Sequence, residues 1–214
     1  KPHVAWQLSE AVRGLGDACR ALDVPVVGGN VSLYNESGGG PIYPTPVVGM
    51  VGKLPDAERS APAGFAREGD VIAFCGEYEP SLAGSELAKL RGEALPTSLP
   101  ERDLAAVRRA QEAVRDAVRA GELSSAHDVA EGGLLVAIAE SCLAGGLGAA
   151  IDPWPDSDPL LWMFGEDPGG GFVVSGPREA IAWTKYSVNK IIKEHANLLL
   201  DTSLARGTLT FASP

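Results

Sequence analysis

Asn30, Ser32, Asn35 and Glu36 follow a Gly28-Gly29 pair inside one short stretch, Pro25-Val-Val-Gly-Gly-Asn-Val-Ser-Leu-Tyr-Asn-Glu36. These residue types suit a phosphate or a metal-bound phosphate. Glycines at 28 and 29 let the main chain approach a ligand closely and take φ > 0. The amides that follow can meet anionic oxygens, and a carboxamide oxygen is a hard, neutral ligand for a divalent cation. The same residues also serve a plain turn, with the glycines reversing the chain and Asn30 capping it. Asn35 and Glu36 suit capping or solvation as well as support behind a ligand, and Tyr34 suits packing of the loop better than stacking on a base.

A second stretch of this kind is Ser125-Ala-His-Asp-Val-Ala-Glu-Gly-Gly-Leu134. Its polar residues precede a helix expected to begin near Gly132, so Asp128, Gly132 and Gly133 stand where main-chain amides and the helix dipole favour an anion. A simple helix cap by Asp128 or Glu131 is the alternative that spacing leaves open. His3 and His195 have no partner in the sequence and read as surface residues. Trp154 and Trp162, among Pro153, Pro155, Asp156 and Asp158, read as packing a loop. No Ser-His-Asp or Cys-His arrangement is legible.

The elements that must position these residues follow from periodicity. Leu8, Val12, Leu15, Cys19 and Leu22 recur at helical spacing, which predicts an amphipathic helix over 6–22 packed on a sheet. Val24–Val27 and Pro46–Val51 read as strands on either side of the glycine-rich loop. Asn30 and Ser32 would then face one concave surface, because alternate residues of an extended chain share a side. Residues 1–55 form the first unit in this reading, 56–69 a proline-bearing linker, and 70–182 an α/β domain opening at Asp70-Val-Ile-Ala-Phe-Cys75. Within that domain Ser81 and Ser85 flank a short helix through Leu90. Leu104, Val107, Gln111, Val114 and Val118 mark a helix over 101–120 ended by Gly121, and Leu134–Leu143 a buried one.

Residues 183–214 differ in composition. Before Ala182 the chain has three Lys against eleven Arg; after it come Lys185, Lys190 and Lys193. The segment reads as an atypical tail, in which Trp183, Tyr186, Ile191 and Leu198 make an imperfect helix and Thr208–Phe211 a weak strand.

The 214 residues carry a formal charge of −10, which speaks against a nucleic-acid partner, since a phosphate backbone demands a basic face. Cys19, Cys75 and Cys142 are distant from one another and odd in number. Neither a disulfide framework nor a zinc site is expected, and the thiols read as reduced and cytosolic. No apolar run approaches the roughly 20 residues of a membrane span. The first residues, Lys1-Pro-His, include no initiator Met, and the expectation is a piece of a longer chain.

In their order and spacing the two stretches resemble the C-terminal half of the phosphoribosylformylglycinamidine synthases, within the aminoimidazole ribonucleotide synthase-like superfamily. The resemblance extends over Ile42-Tyr-Pro-Thr-Pro-Val-Val-Gly-Met-Val-Gly52, Arg67-Glu-Gly-Asp-Val-Ile72, Gly84-Ser-Glu86, Phe164-Gly-Glu166 and Phe172-Val-Val-Ser175, roughly residues 1–182. It implies an α/β (α+β) fold: part of an N-terminal half-domain, then the C-terminal α/β domain. It also implies an ATP- and Mg²⁺-dependent ligase that turns formylglycinamide ribonucleotide into its amidine. Gly29 would contact ATP, Asn30 would ligate Mg²⁺ and Ser32 would touch the substrate, while Asp128, Gly132 and Gly133 would sit beside nucleotide. The implied partners are a glutaminase subunit or domain and a small accessory subunit that supply ammonia, with no nucleic acid and no membrane.

The family usually has Ser where this chain has Ala130, which removes a hydroxyl from the second stretch. Because the family is built of two pseudosymmetric halves, the second-domain motifs, Phe164-Gly165-Glu166 included, can belong to its non-catalytic auxiliary site. A related ATP-using enzyme, such as an aminoimidazole ribonucleotide synthase, selenophosphate synthetase or thiamine-phosphate kinase, and a non-catalytic module are the other readings. Tyr34-Asn35-Glu36 and Tyr43-Pro-Thr-Pro46 favour the purine ligase over the related enzymes.

Overall fold

The computed structural model describes residues 2–33, 36–98, 100–151, 158–167, 169–181 and 199–201. The chain divides into two compact units, Lys1–Pro55 and Asp56–Pro214, each with its own character.

The first unit is dominated by α1 (Pro2–Leu22), which starts four residues earlier than periodicity indicated. Pro2 costs nothing there, because the first turn of a helix has no intrahelical use for that amide. The helix stops at Asp23, in the left-handed region at φ 58°, and Val24 N–H closes back on the Cys19 carbonyl at 3.0 Å. Its exposed face carries a ladder of ion pairs from Arg13 to Glu10 (2.5 Å) and Asp17 (3.4 Å), and from Arg20 to Asp17 (2.6 Å).

The rest of the first unit departs from the sequence reading. Neither Val24–Val27 nor Pro46–Val51 is a strand, and no described residue of α1 is buried. The strands of this unit are β1 (Glu36–Ser37) and β2 (Gly40–Pro41), a two-residue antiparallel hairpin. β-branched residues favour a pleated chain, but a strand exists only where a neighbour pairs its amides and carbonyls, and neither segment has one here.

The second unit is layered. Its sheet has the order β4-β5-β3-β6, with β3 Val71–Cys75, β4 Ser125–Asp128, β5 Phe172–Gly176 and β6 Leu199–Asp201, and every pairing is antiparallel. The five residues of β3 are all apolar because both faces of the sheet are covered. Ile72 and Val173 face α4 (Gly133–Gly145) in a core with Phe65, Val129, Leu134, Ala137 and Ile138. Val71, Cys75 and Val174 face α3 (Leu104–Ala120) in a second core with Val114, Ala117, Leu123 and Ile181. Each such side chain contributes on the order of 1.5–3 kcal/mol of transfer free energy when fully buried.

Residues 56–69 belong to this unit and are not a linker. Phe65 is buried in the α4 core and its N–H bonds the Ser141 carbonyl at 2.9 Å, while the Pro62 carbonyl accepts from Ala126 N–H and closes the outer edge of β4. The approach is so close that a Cβ on Gly145 would lie 2.0 Å from the Phe65 carbonyl oxygen.

Local signals place the helices well. Ser85 caps α2 (Glu86–Leu90) by accepting from Ala88 N–H. Asp103 caps α3 through Ala105 N–H and so sets its start at 104, not 101. Gly121 ends α3 at φ 75°. Asp158 caps the short α5 (Pro159–Phe164).

Of the segment 183–214, residues 199–201 lie along β3, in register from Val71↔Asp201 to Ala73↔Leu199. The helix expected around Trp183–Leu198 and the strand expected at Thr208–Phe211 fall outside the described residues, as do Tyr34, Asn35, Trp154 and Asp156.

Candidate functional site

Gly29, Asn30 and Ser32 lie in the irregular, exposed stretch after α1. The loop does not join two strands, so the shared concave face expected for Asn30 and Ser32 has no sheet to form on. Gly29 has φ 159°, at the extended edge of the positive region, and a Cβ on either Gly28 or Gly29 would meet nothing within 4 Å. No protein neighbour therefore requires glycine at these two positions. The Asn30 carboxamide is open to solvent. As one neutral oxygen ligand it suits Mg²⁺, which keeps several waters and takes few ligands from protein. Among the described residues no group of three or more His, Cys, Asp or Glu side chains is arranged to hold a metal ion.

Asp128, Gly132 and Gly133 lie in the second unit, around the start of α4. Asp128 ends β4 with its side chain 69% exposed. The neighbouring His127 ring stands between it and α4, with Nδ1 3.5 Å from Asp128 Oδ1 and Nε2 3.3 Å from Glu140 Oε2. Neither Asp128 nor Glu131 caps the helix, since the N-cap is Gly132 at φ 84° and makes no side-chain cap bond.

The leading amides of α4 are already engaged within the protein. Gly132 N–H donates to Glu166 Oε1 at 2.8 Å and Gly133 N–H to the Ala130 carbonyl at 3.1 Å. The anion that the helix terminus invites is thus the carboxylate of Glu166. Gly133, at φ 78°, has a further reason to be glycine: a Cβ there would lie 2.5 Å from the Gly165 carbonyl oxygen.

Glu166 carries a second bond of the same kind, from Glu86 N–H at the start of α2 at 2.7 Å, and its main chain bridges Ser81 in both directions. Tyr78 donates its hydroxyl to the Gly165 carbonyl at 2.8 Å and stands between Phe74 and Trp162, at ring separations of 5.1 and 5.6 Å. Burial pushes the Tyr78 hydroxyl up to about 12, so it stays protonated and keeps donating.

Beyond Glu166 the chain turns into a cavity of about 220 Å³ lined by Glu79, Arg102, Asp103, Asp167, Gly169 and Gly170, with residues of β3's end and α3. Asp167 is buried. Its Oδ1 lies 2.6 Å from the Arg102 guanidinium and its Oδ2 accepts from Glu79 N–H at 2.6 Å. Burial raises its pKa, and this outweighs the lowering by the Glu79 amide and Arg102. Sequence reading missed this pair. Asp167 follows a recognisable Phe-Gly-Glu, but nothing in the spacing ties it to Arg102, far away along the chain. Asp128, Gly132 and Gly133 do not line this cavity.

Comparisons with known proteins match two family models in order: the N-terminal domain of AIR synthase related proteins over residues 1–54 and the C-terminal domain of the same proteins over 67–191. The second match runs past Ala182 into the compositionally distinct segment. The chain is 51% identical over 167 residues to a phosphoribosylformylglycinamidine synthase subunit PurL of Moorella thermoacetica, covering 78% of this chain and 23% of that protein. It is 47% identical over 193 residues to the PurL subunit of an Anaeromyxobacter species, covering 85% and 25%. The chain thus spans about a quarter of the length of these relatives. Among solved structures, T. maritima PurL complexed with FGAR shares the fold over 63% of this chain and 24% of its own, at 21% identity and a TM-score of 0.51. No helix among the described residues is long and apolar enough to cross a membrane.

Proposed function

Because the chain belongs to the AIR synthase related protein family, we propose that it forms part of the synthetase of a phosphoribosylformylglycinamidine synthase, an ATP-dependent carbon–nitrogen ligase of purine biosynthesis. The observation that carries this reading is the 51% identity over 167 residues to a PurL subunit.

In the proposed reaction ATP transfers its γ-phosphoryl group to the amide oxygen of formylglycinamide ribonucleotide, giving an iminophosphate and ADP. Ammonia then adds at the activated carbon and phosphate departs, leaving the amidine. Ammonia would come from a glutaminase partner working with a small accessory subunit. This chain's part is positioning and charge neutralisation. The exposed main chain at Gly29 would run beside ATP, and the Ser32 hydroxyl would meet the substrate. The Asn30 carboxamide would ligate Mg²⁺, which supplies neutralisation of phosphate charge when bound. Asp128 and the Gly132-Gly133 turn would stand beside nucleotide in the second unit.

The two-residue hairpin and unburied helix of the first unit are in keeping with a piece whose remaining strands come from the rest of a longer synthetase. A chimera in which this chain replaces the matching quarter of the Moorella thermoacetica relative tests the reading. Supplied with ATP, Mg²⁺, ammonia and formylglycinamide ribonucleotide, it should form amidine, and Asn30→Ala should cut turnover about 10²-fold with the melting midpoint unmoved. A folded chimera that makes no product overturns the proposal. The 214 residues alone should make none.

A further inference from the structure

Glu166 is not among the residues assigned to nucleotide above, yet its carboxylate bonds the amide of one of them, Gly132. Two segments distant in sequence, 81–86 and 132–133, meet at its side chain and main chain. The carboxylate oxygen Oε1 receives two amide protons, from Gly132 at 2.8 Å and from Glu86 at 2.7 Å. The Glu166 main chain exchanges two hydrogen bonds with Ser81, at 3.0 and 2.9 Å. Immediately before it, the Gly165 carbonyl lies against Gly133 so closely that only a glycine fits there.

Gly132 and Gly133 both take left-handed conformations, φ 84° and 78°. Consecutive glycines are free to leave such a conformation, since they lack the Cβ that would restrict them. What holds Gly132 is the bond from its amide to the side-chain oxygen of Glu166. The next amide, Gly133 N–H, is spent on the Ala130 carbonyl.

We propose that Glu166 is the positioning residue of the Asp128–Gly133 turn: it fixes the turn that meets nucleotide and does not itself contact the ligand. The inference rests on the proposed function, and it refines that reading in one respect. With its amide committed to Glu166, Gly132 offers the ligand shape and close approach, not a hydrogen-bond donor.

Glu166→Gln and Glu166→Ala separate this role from its rivals, because Gln keeps an oxygen that can accept both amides while losing the charge, and Ala removes the acceptor. Amide hydrogen exchange is read on this chain, and the KM for ATP and kcat on the chimera described above. In the Ala variant, exchange at Gly132 and Glu86 should accelerate and KM for ATP should rise by about 10–100-fold, as for other groups that orient a ligand-binding residue, with kcat within about threefold. The Gln variant should restore both readouts to within about threefold of the parent.

Unchanged exchange at Gly132 in the Ala variant overturns the proposal. Faster exchange with an unmoved KM also overturns it, leaving Glu166 a staple of the fold alone. A Gln variant as impaired as Ala overturns it in favour of direct action by the charge. A parent chimera without ATP-dependent turnover counts against the proposed function. The exchange result on this chain then decides whether Glu166 holds the turn.

Discussion

Val24-Pro-Val-Val27 and Val71-Ile-Ala-Phe-Cys75 are alike in composition and opposite in fate. The first is irregular and exposed, with Val26 at 76% and Val27 at 96% of full exposure; the second is the strand on which two cores are built. The same contrast holds between the two units, since no described residue of Lys1–Pro55 is buried whereas Asp56–Pro214 encloses a sheet between α3 and α4. β-branched composition therefore permits a strand without making one. A strand forms where a neighbour satisfies its main chain and a helix covers its face.

The largest expected effect that can break this comparison is in the α4 core. Phe65→Ala should cost about 3–5 kcal/mol in urea unfolding, by loss of transfer free energy and the cavity left behind. Val51→Ala, at a fully exposed position of the first unit, should stay within about 0.5 kcal/mol. Equal losses at the two positions would refute the asymmetry between the units.

Next in size is an alkaline effect confined to the second unit. Burial pushes the Cys75 thiol from 9.0 up to about 11. A thiol whose folded pKa lies above its unfolded value contributes stability that is complete below 9.0 and lost as pH rises towards about 11. The loss should reach on the order of 2–3 kcal/mol. The melting midpoint of the second unit should fall across that interval, and Cys75 should resist alkylation until the unit unfolds, while the half-exposed Cys19 reacts in the native protein. A flat midpoint between pH 9 and 11, or rapid native labelling of Cys75, would contradict it.

Smaller again is the cap of α2. Ser85 is buried, accepts from Ala88 N–H and donates to the Leu82 carbonyl at 2.7 Å, so Ser85→Ala should cost about 1 kcal/mol in the same unfolding measurement. The smallest effect belongs to the loop. Gly28→Ala introduces a methyl group with nothing within 4 Å and should change stability by less than about 0.5 kcal/mol. If it also lowers turnover of the chimera, the glycine is kept for a ligand and not for the fold.

The sequence by itself determined the elements whose causes are local. Ser85 and the glycine at 121 bound their helices, the periodicity of Leu104–Val118 marked α3, and the apolar run after Gly132 marked α4, because caps, left-handed glycines and i to i+4 bonds lie within a few residues of one another. It also marked the stretches around Asn30 and Asp128 by residue type. Tertiary structure decided who meets whom. The cap of α4 by Asp128 or Glu131 that spacing left open gave way to Glu166, distant along the chain, and the expected linker became a strap over β4 with Phe65 at its core. Arg102 likewise found Asp167 far along the chain. Residues 24–27 carry the composition of a strand and lack the partner of one. Local bonding is written in neighbouring residues, whereas pairing and burial depend on surfaces that exist only once distant segments have come together.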